Sequence, residues 1–434
     1  MPLNIRELAG EDEDTTRLDN SQPRALDEAL LPHISKDSET APASQGASLL
    51  ASVTSLANTT LGAGIVAVPY FFSQCGILLG IVILVTIGLV SAFANILLVE
   101  ASERSNRWSY IDLATEAYAK RGMMSVQSAI LALTLGVLSA FFVELGEVAE
   151  DLLSESEHWW GTAPVIKLVV GALILLPLGL QKSLASLSNF SLVVVALIIY
   201  LAAIVCFLSG YKNDDDAHNA DNVKMVAVGS HFFTALPIIL MSFGNQVNVQ
   251  QVVMEMERPT ASRIRFLIIS TNLLVSLLYL IIGIAGYSRF GSATKDDIIL
   301  NYHGFSGANA GIFSVARVGI VFIVVFSYPM LLHPCRTCLN TVLGIDRPTS
   351  MVFVGETVAI IGFTWFISIV VPVLGTIVGY TGAIAGTLLG FIFPAAFYRR
   401  LVPERKGPAR GLFLLGILFG VICFTAQVAV DAGA

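Results

Sequence analysis

Two short stretches of small and polar residues interrupt long apolar runs in this chain. Residues 58–64 read Asn-Thr-Thr-Leu-Gly-Ala-Gly, with Pro69 close behind, and residues 242–246 read Ser-Phe-Gly-Asn-Gln, with Pro237 just before them. Glycine and proline both weaken a continuous helix, and an interrupted helix leaves main-chain N–H and C=O groups without their usual partners. Freed N–H groups suit a carboxylate, and freed C=O groups suit an ammonium group or a small cation. The paired stretches therefore predict a binding site for a zwitterion.

Each stretch also has a simpler interpretation, because small residues in membrane helices often serve only to let two helices pack closely. For a single Gly-x-Gly, close packing is the better interpretation. Two breaks at matching depth, the first beside the oxygen-bearing side chains of Asn58, Thr59 and Thr60, favour the binding site.

Long apolar runs must position both stretches. The chain has 434 residues, of which 55% are hydrophobic and 13% are charged, a charged share about half that of an ordinary soluble domain. Hydropathy predicts eleven membrane-spanning helices, since a helix of about 20 apolar residues crosses a bilayer. The predicted ranges are 48–73, 77–99, 126–152, 164–180, 187–209, 229–253, 265–287, 309–333, 352–372, 375–397 and 411–430.

Loop charges support this count and orient the helices. Fifteen of the 25 lysines and arginines fall in loops on the side of the N-terminus, and five fall on the other side. The positive-inside rule then predicts a cytoplasmic N-terminus and an extracytoplasmic C-terminus. The interrupted spans are the first and the sixth, which predicts two inverted repeats of five helices, at about 48–209 and 229–397, and an extra helix at about 411–430.

The remaining composition limits the classes of function. Residues 1–47 are polar and acidic, which predicts a disordered cytoplasmic tail long enough to dock a partner. There is no basic patch for nucleic acid, no phosphate-binding loop and no metalloprotease motif, so the sequence predicts neither an enzyme nor an ATP-driven pump. Cys335 and Cys338 form a lone C-x-x-C pair, which cannot make a four-ligand zinc site, and no cofactor is predicted.

Several motifs resemble one known family. Residues 58–65, with Val68-Pro69-Tyr70 after them, are similar to the first helix of the amino acid/auxin permease family. That family includes sodium-coupled neutral amino acid transporters and vacuolar amino acid transporters. Three further stretches resemble its motifs: residues 254–259, Met-Glu-Met-Glu-Arg-Pro; residues 326–336, Phe-Ser-Tyr-Pro-Met-Leu-Leu-His-Pro-Cys-Arg; and Phe393-Pro394 before Tyr398. The resemblance covers residues 48 to about 430.

The resemblance implies an all-α membrane protein with a LeuT-type five-plus-five inverted repeat, an eleventh helix, and discontinuous helices 1 and 6. It implies a cation site, for sodium in the sodium-coupled branch, at Asn58 and Ser327, whose side chains both carry oxygen. Relatives often have His-Pro where Gln246-Val247 stands here, so a histidine-based pH effect is not expected at that position. Substrate contacts are implied at both breaks, at Thr59, Gly62, Ala63, Gly64, Ser242, Phe243, Gly244, Asn245 and Gln246.

Other ionisable residues lie inside the predicted spans, where a charge is costly and usually functional. Glu144 and Glu147 are three residues apart on one helix face, near the predicted outer end of the third span. Either they line a water-filled vestibule or they carry a coupling proton. Arg317, in the eighth span, needs a partner or an aqueous cavity.

Together these features predict a secondary active transporter of small neutral amino acids that works as a monomer in the plasma membrane or in a vacuolar or lysosomal membrane. A sodium or proton gradient drives it, and spans 1, 2, 6 and 7 rock against the rest when substrate and cation are both bound. The alternative is an amino acid-sensing receptor that uses the same pocket and signals through its N-terminal tail.

Overall fold

The computed structural model describes residues 46–61, 64–153, 163–181, 191–210, 222–302, 310–345 and 348–433. Within these ranges the side chains of residues 149–153, 163, 191–192, 208 and 310–317 are not described. The predicted tail up to residue 45, the Gly62-Ala63 pair and the side chain of Arg317 therefore lie outside the described residues.

The described chain is α-helical, and its one β-bridge pairs Ala47 with Met256. Three π-helical turns, at Gly171–Leu175, Gly382–Gly386 and Leu388–Ile392, connect α5 to α6 and α13 to α14. In chain order the α-helices are α1 (Leu49–Thr60), α2 (Gly64–Cys75), α3 (Ile77–Ser105), α4 (Tyr110–Leu153), α5 (Ala163–Val170), α6 (Leu176–Gly179), α7 (Ser191–Ser209), α8 (Phe232–Ser242), α9 (Gln246–Glu255), α10 (Ala261–Phe290), α11 (Ala310–Leu343), α12 (Ser350–Val370), α13 (Leu374–Thr381), α14 (Phe393–Leu401) and α15 (Lys406–Asp431).

Eight helices of the described residues are long and apolar enough to cross a membrane, where α8 with α9 and α13 with α14 each count as one. The pair α1 and α2, bent by 63° at the break between them, makes a ninth if it counts as one span. Two shorter apolar helices, Pro164–Gly179 and Val193–Phe207, lie where the fourth and fifth spans are predicted. Helices suit hydrocarbon because each satisfies its own backbone groups. The all-helical, multi-pass class is confirmed, while the count of eleven and the repeat symmetry stay predictions.

The third predicted span, 126–152, belongs to a longer helix. α4 begins at Tyr110, and hydropathy missed the stretch before residue 126 because it carries charged side chains such as Glu116 and Lys120. The helix is kinked within that stretch, where Ala119 has the left-handed φ of 53°. The kink therefore separates the polar first part of α4 from the apolar part that follows.

Close helix packing depends on small residues at the crossings. α4 packs against α11, and α10 lies against α1, α2 and α3. A Cβ added to Gly136 of α4 would lie 2.1 Å from Thr381 Oγ1, and one added to Gly382 would lie 2.3 Å from Pro237 O. No larger residue fits at these crossings without movement of the neighbouring helix, as is usual in membrane proteins.

A short main-chain bridge shows which helix ends share a membrane face. The Ala47 N–H donates to Glu255 O (2.8 Å), and the Glu257 N–H donates to Ala47 O (2.9 Å). The start of α1 and the end of α9 therefore meet on one face, which we call the tail face. Because successive spans cross in alternate directions, α4 and α10 both end at the opposite face, which we call the far face.

Arg336 of α11 ties three helices together near the tail face. Its buried Nη1 donates to Gly179 O (2.7 Å) and to Thr357 Oγ1 (2.8 Å), and its guanidinium lies 4.1 Å from the centre of the Phe353 ring. A planar guanidinium can stack and donate at the same time. Since Gly179 is the last residue of α6, this contact also satisfies a helix-end carbonyl.

Replacing Arg336 should weaken this junction, because the Gly179 carbonyl would lose a charged donor in a buried place. We expect Arg336→Ala to lower the free energy of unfolding by about 2 kcal/mol, as for a hydrogen bond to a charged group, and Arg336→Lys to recover only part of that. The measurement is unfolding of the purified protein in detergent micelles. Arg104→Ala is the control, because Arg104 is 61% exposed in its ion pair with Glu404, and such pairs contribute under about 1 kcal/mol. Equal losses in the two alanine variants would contradict the buried role.

Candidate functional site

The first break separates α1 from α2. α1 ends at Thr60 and α2 begins at Gly64, with an angle of 63° between the two helices. The Thr59 and Thr60 hydroxyls donate back to Leu56 O, at 2.9 and 2.7 Å. Such back-bonding competes with the main-chain hydrogen bonds and often bends a helix, so the end of α1 is weakened by its own side chains.

The second break separates α8 from α9. α8 ends at Ser242, α9 begins at Gln246, and Phe243–Asn245 form the turn between them. The Ser242 hydroxyl donates to Ile238 O (2.7 Å), and Pro237 lies inside α8. This helix is therefore weakened before its end by a hydroxyl, as α1 is, and also by a proline.

The two breaks meet. A Cβ added to Gly64 would lie 2.2 Å from Ser242 Oγ, so the main chain at the start of α2 rests against the end of α8. The Tyr279 hydroxyl of α10 reaches the final carbonyls of both helices, Thr60 O at 3.1 Å and Ser242 O at 2.9 Å. Tyr279 is fully buried, and its ring packs edge-on against Phe243. One hydroxyl thus partners the carboxyl ends of two interrupted helices.

A chain of side-chain amides links α3 to both breaks. Asn95 Nδ2 of α3 donates to Asn245 Oδ1 (2.7 Å), and Asn245 Nδ2 donates to Thr60 Oγ1 (3.1 Å). All three residues are buried. In a setting of low dielectric constant such bonds are strong, and breaking one is costly, so this chain fixes the distance between the breaks.

Three more hydrogen bonds hold α3 against α9 and the turn before it. The Ser91 hydroxyl donates to Phe243 O (3.1 Å) and accepts from Gln246 Nε2 (2.9 Å). Further towards the tail face, Gln250 Nε2 donates to Ser102 Oγ (2.7 Å). The main chain of the turn at the second break, Phe243–Asn245, is therefore held by a side chain of α3.

The sequence analysis did not single out Ser91, Asn95 or Tyr279. Ser91, Asn95 and Ser102 lie at helical spacing on one face of α3, so polar positions along an otherwise apolar helix are the signal that finds them. Tyr279 carries no such signal, because a tyrosine in an apolar run is ordinary.

The residues predicted to contact substrate have unequal roles. The Asn245 and Gln246 side chains bond to α1 and α3, and Phe243 is buried, so these three position the break. Gly64 and Gly244 offer only main-chain atoms. The chemistry available at the junction is thus mainly that of backbone dipoles, with uncharged side chains around them.

The predicted cation ligands lie on different helices, Asn58 on α1 and Ser327 on α11, and both are partly buried. Asn58 Oδ1 is buried and has no hydrogen-bond partner among the described residues. An unsatisfied buried oxygen costs about 1–3 kcal/mol, and coordination of a cation would offset that cost. No hydrogen bond joins Asn58 to Ser327 in the described chain. The described residues also include no group of three His, Cys, Asp or Glu side chains that could hold a metal ion.

Two pockets lie away from the breaks. One, of about 140 Å³, includes Phe142 and Trp365 in its lining, and the other, of about 340 Å³ near the tail face, includes Tyr118 and Phe413. Neither contains a residue of either break. In the described part of the junction Gly64 touches Ser242, so a ligand between these two residues would need the helices to move apart.

Comparison with known sequences gives a match over nearly the whole chain. Residues 45–431 match the family model described as "Transmembrane amino acid transporter protein". Solute carrier family 38 member 10 of Mus musculus is 28% identical over 404 residues, which are 88% of this chain and 36% of that protein. Amino acid transporter AVT6B of Arabidopsis thaliana is 26% identical over 391 residues, which are 85% of each chain. This chain therefore spans about a third of the length of the mouse relative.

Among solved structures, the inward-facing conformation of Mhp1 superposes with a TM-score of 0.59 at 12% identity, and the match covers 89% of this chain and 91% of that one. At this identity the likeness concerns the fold alone. The curated relatives are named as solute carriers or transporters, in agreement with the prediction that the chain is not an enzyme.

The contact between the breaks can be tested at Gly64. We expect Gly64→Ala to lower the free energy of unfolding by about 1–3 kcal/mol, as overpacking usually does, because Ser242 Oγ is held in place by Ile238 O. In a Ser242→Gly background the same change should cost less than half as much, since the clashing atoms are gone. Gly362→Ala is the matched control, because no atom lies within 4 Å of the added Cβ. An equal cost in both backgrounds would show that the contact is not the cause.

The double role of Tyr279 can be tested by removing its hydroxyl alone. Tyr279→Phe keeps the ring and removes the one hydroxyl hydrogen that the two buried carbonyls share, so we expect a loss of about 2 kcal/mol in the free energy of unfolding. Tyr200→Phe, on a partly exposed ring of α7, is the control and should change little. No loss in Tyr279→Phe would mean that the two carbonyls have another partner.

Proposed function

Because this chain belongs to the family of transmembrane amino acid transporter proteins, we propose that it is a secondary active transporter of small neutral amino acids. The observation that carries this proposal is the meeting of two interrupted helices at Gly64, Ser242 and Tyr279. Its relatives are named as a solute carrier and an amino acid transporter, which supports the same class of substrate.

The substrate is recognised by helix ends. Main-chain N–H groups at the starts of α2 and α9 attract the carboxylate, and the carbonyls of Thr60 and Ser242 attract the ammonium group. Each carbonyl has two lone pairs, so the bond to Tyr279 leaves acceptor capacity. The side chains at the junction are Ser, Thr, Asn, Gln, Tyr and Phe, without a charge among them. An uncharged junction suits an amino acid with a neutral side chain.

The coupling ion is sodium or a proton. For sodium, Asn58 Oδ1 supplies an oxygen that lacks a partner, and Ser327 is the second ligand that the family resemblance implies. Coupling to a cation is effective because one charge moving through 100 mV provides about 2.3 kcal/mol.

Hydrogen bonds gather the helices into two groups that support an alternating-access cycle. The first group is α1, α2, α3, α8, α9 and α10, which are joined by the contacts around the breaks. The second group is α4, α5, α6, α11, α12, α13 and α14. Within it, Tyr110 donates to Leu389 O (2.7 Å), Trp365 donates to Pro164 O (3.0 Å), and Arg336 bonds to Gly179 and Thr357. Movement of one group against the other would open the junction to one face at a time.

We assign the tail face to the cytoplasm and the C-terminus to the other side, from the positive-inside rule. The membrane is the plasma membrane or a vacuolar or lysosomal membrane, and the transporter works as a monomer.

One observation favours a second function, amino acid sensing. The bridge from Ala47 to Glu255 and Glu257 attaches the start of the described chain to the end of α9. A ligand that moves α9 would therefore also move the residues before Ala47, where a cytoplasmic partner could bind. Ligand binding without flux would favour the receptor.

Uptake of a radiolabelled neutral amino acid into proteoliposomes tests the transporter, with sodium and pH gradients imposed separately. We expect one gradient to drive uptake, and Asn58→Ala to reduce its effect at least tenfold because the unpaired oxygen is lost. Ser55→Ala, which removes another hydroxyl from α1, is the control and should transport normally.

Three results would count against parts of this proposal. Unchanged uptake in Asn58→Ala would remove that residue from the cation site. Uptake driven by neither gradient would contradict coupling, and the absence of any flux in correctly folded protein would contradict transport itself.

A further inference from the structure

A loop at the far face packs against α10, a helix of the first group. This loop, residues 294–302, follows α10, and we call it the far-face loop. The Tyr302 ring packs edge-on against Phe290 at 4.9 Å, and the Arg289 guanidinium lies over both rings. Ile298 lies against Gly286 of α10, where an added Cβ would be 3.0 Å from Ile298 Cδ1. The loop is therefore fastened to α10.

The same loop also contacts the second group of helices, through the carboxyl groups of two adjacent residues. Asp296 Oδ2 accepts from the Gly375 N–H of α13 (2.8 Å). The Asp297 side chain lies within hydrogen-bonding reach of Glu147 of α4, while Asp297 Oδ1 accepts from the Ile299 N–H (2.8 Å). These contacts join the two groups at the far face.

The contact between Glu147 and Asp297 lacks a donor if both are ionised, because a carboxylate only accepts hydrogen bonds. Glu147 Oε2 is buried and has no partner among the described residues, and Asp297 is 1% exposed. Two buried carboxylates in contact repel each other strongly, and such pairs hold one proton between them. The geometry is satisfied when that proton is present.

We propose that Glu147 and Asp297 bind one proton between them, and that this proton latches the far-face loop onto α4. With the proton bound, the two groups are held together at the far face and that side is closed. When the proton leaves, the two negative charges separate, and the loop is free to move away with α10. This inference rests on the proposed function, since closing one face has a meaning only for a protein with alternating access.

Acidic and basic side chains both surround the pair. Glu144, on the same face of α4, and Asp296, in the loop, are further carboxyls near it. Lys167 of α5 lies beside Gly146 and donates to Ser368 O, and Arg289 lies at the start of the loop, so each brings a positive charge nearby. The side chains of Glu150, Asp151 and Arg317 lie outside the described residues.

The direction of the pH dependence follows from burial. Burial raises the pKa of the Asp297 carboxyl in the closed arrangement, whereas a carboxyl released into water titrates near its ordinary pKa of about 4. The closed arrangement therefore binds the proton more tightly. The stabilisation of closure is therefore complete below the ordinary pKa and is lost as the pH rises from there through the raised pKa.

Hydrogen–deuterium exchange of residues 294–302 in the purified full-length protein tests the latch directly. We expect protection, corrected for intrinsic exchange, to fall by up to tenfold per pH unit as the shared proton is lost. In Glu147→Gln the amide N–H donates permanently to Asp297, so protection should stay high and vary less than about twofold over the same range. Asp297→Asn should behave in the same way from the other side of the pair.

Glu116→Gln is the matched control. Glu116 lies on the same helix but is exposed near the tail face, in an ion pair with Arg107, so this variant should keep the slope of the unaltered protein. A pH-independent protection in the unaltered protein, or an unchanged slope in Glu147→Gln and Asp297→Asn, would overturn the latch. Because exchange needs no substrate, normal uptake without a pH slope would reject the latch alone, and a pH slope without any amino acid flux would reject the transporter alone.

Discussion

A helix that stops inside hydrocarbon leaves carbonyl groups that no water can reach, and each of them must find a donor within the protein. In this structure the ends of α1 and α8 share one donor, the single hydrogen of the Tyr279 hydroxyl, which lies within hydrogen-bonding distance of both carbonyls. The arrangement has two consequences. It makes a pair of interrupted helices tolerable at membrane depth, and it ties both interruptions to one residue of α10, so that they cannot drift apart independently.

The amide chain from Asn95 through Asn245 to Thr60 extends the same logic to α3. Each of these hydrogen bonds is buried, where breaking it is costly, although Asn95 Oδ1 itself has no partner among the described residues. Hydrogen bonds of this kind near the breaks fit the proposed cycle, in which whole helices move relative to one another. Local rearrangement of side chains would leave amides unpaired and is the costlier route.

The sequence predicts those features that are local along the chain. Gly, Pro and hydroxyl residues weaken a helix wherever it packs, so both breaks could be located without knowledge of their neighbours. Tyr279 and Asn95 are important because of the groups that they bond to on other helices. Only the packing of α10 and α3 determines which groups those are. The start of α4 was misplaced because Glu116 and Lys120 lower the hydropathy of a segment that is still helical.

The charged residues show the same division. Spacing alone placed Glu144 and Glu147 on one face of a span but left both a vestibule and a proton site open, with the vestibule the favoured interpretation. The structure adds Asp297, which lies 150 residues further along the sequence and comes from a loop with no distinctive motif. Asn58 has the unpaired oxygen expected of a ligand, yet no hydrogen bond joins it to Ser327 in the described chain.

The Arg336 contact has a consequence for folding during synthesis of the protein. Gly179 O and Arg336 Nη1 are separated by 157 positions in the chain, so the carbonyl at the end of α6 leaves the ribosome long before its partner exists. Helices of a nascent chain are made in order, from the N-terminus onwards. The early helices therefore stay incompletely joined until α11 and α12 have been made. A chain that ends before position 336 would lack the hydrogen bond from Arg336 to Gly179 O.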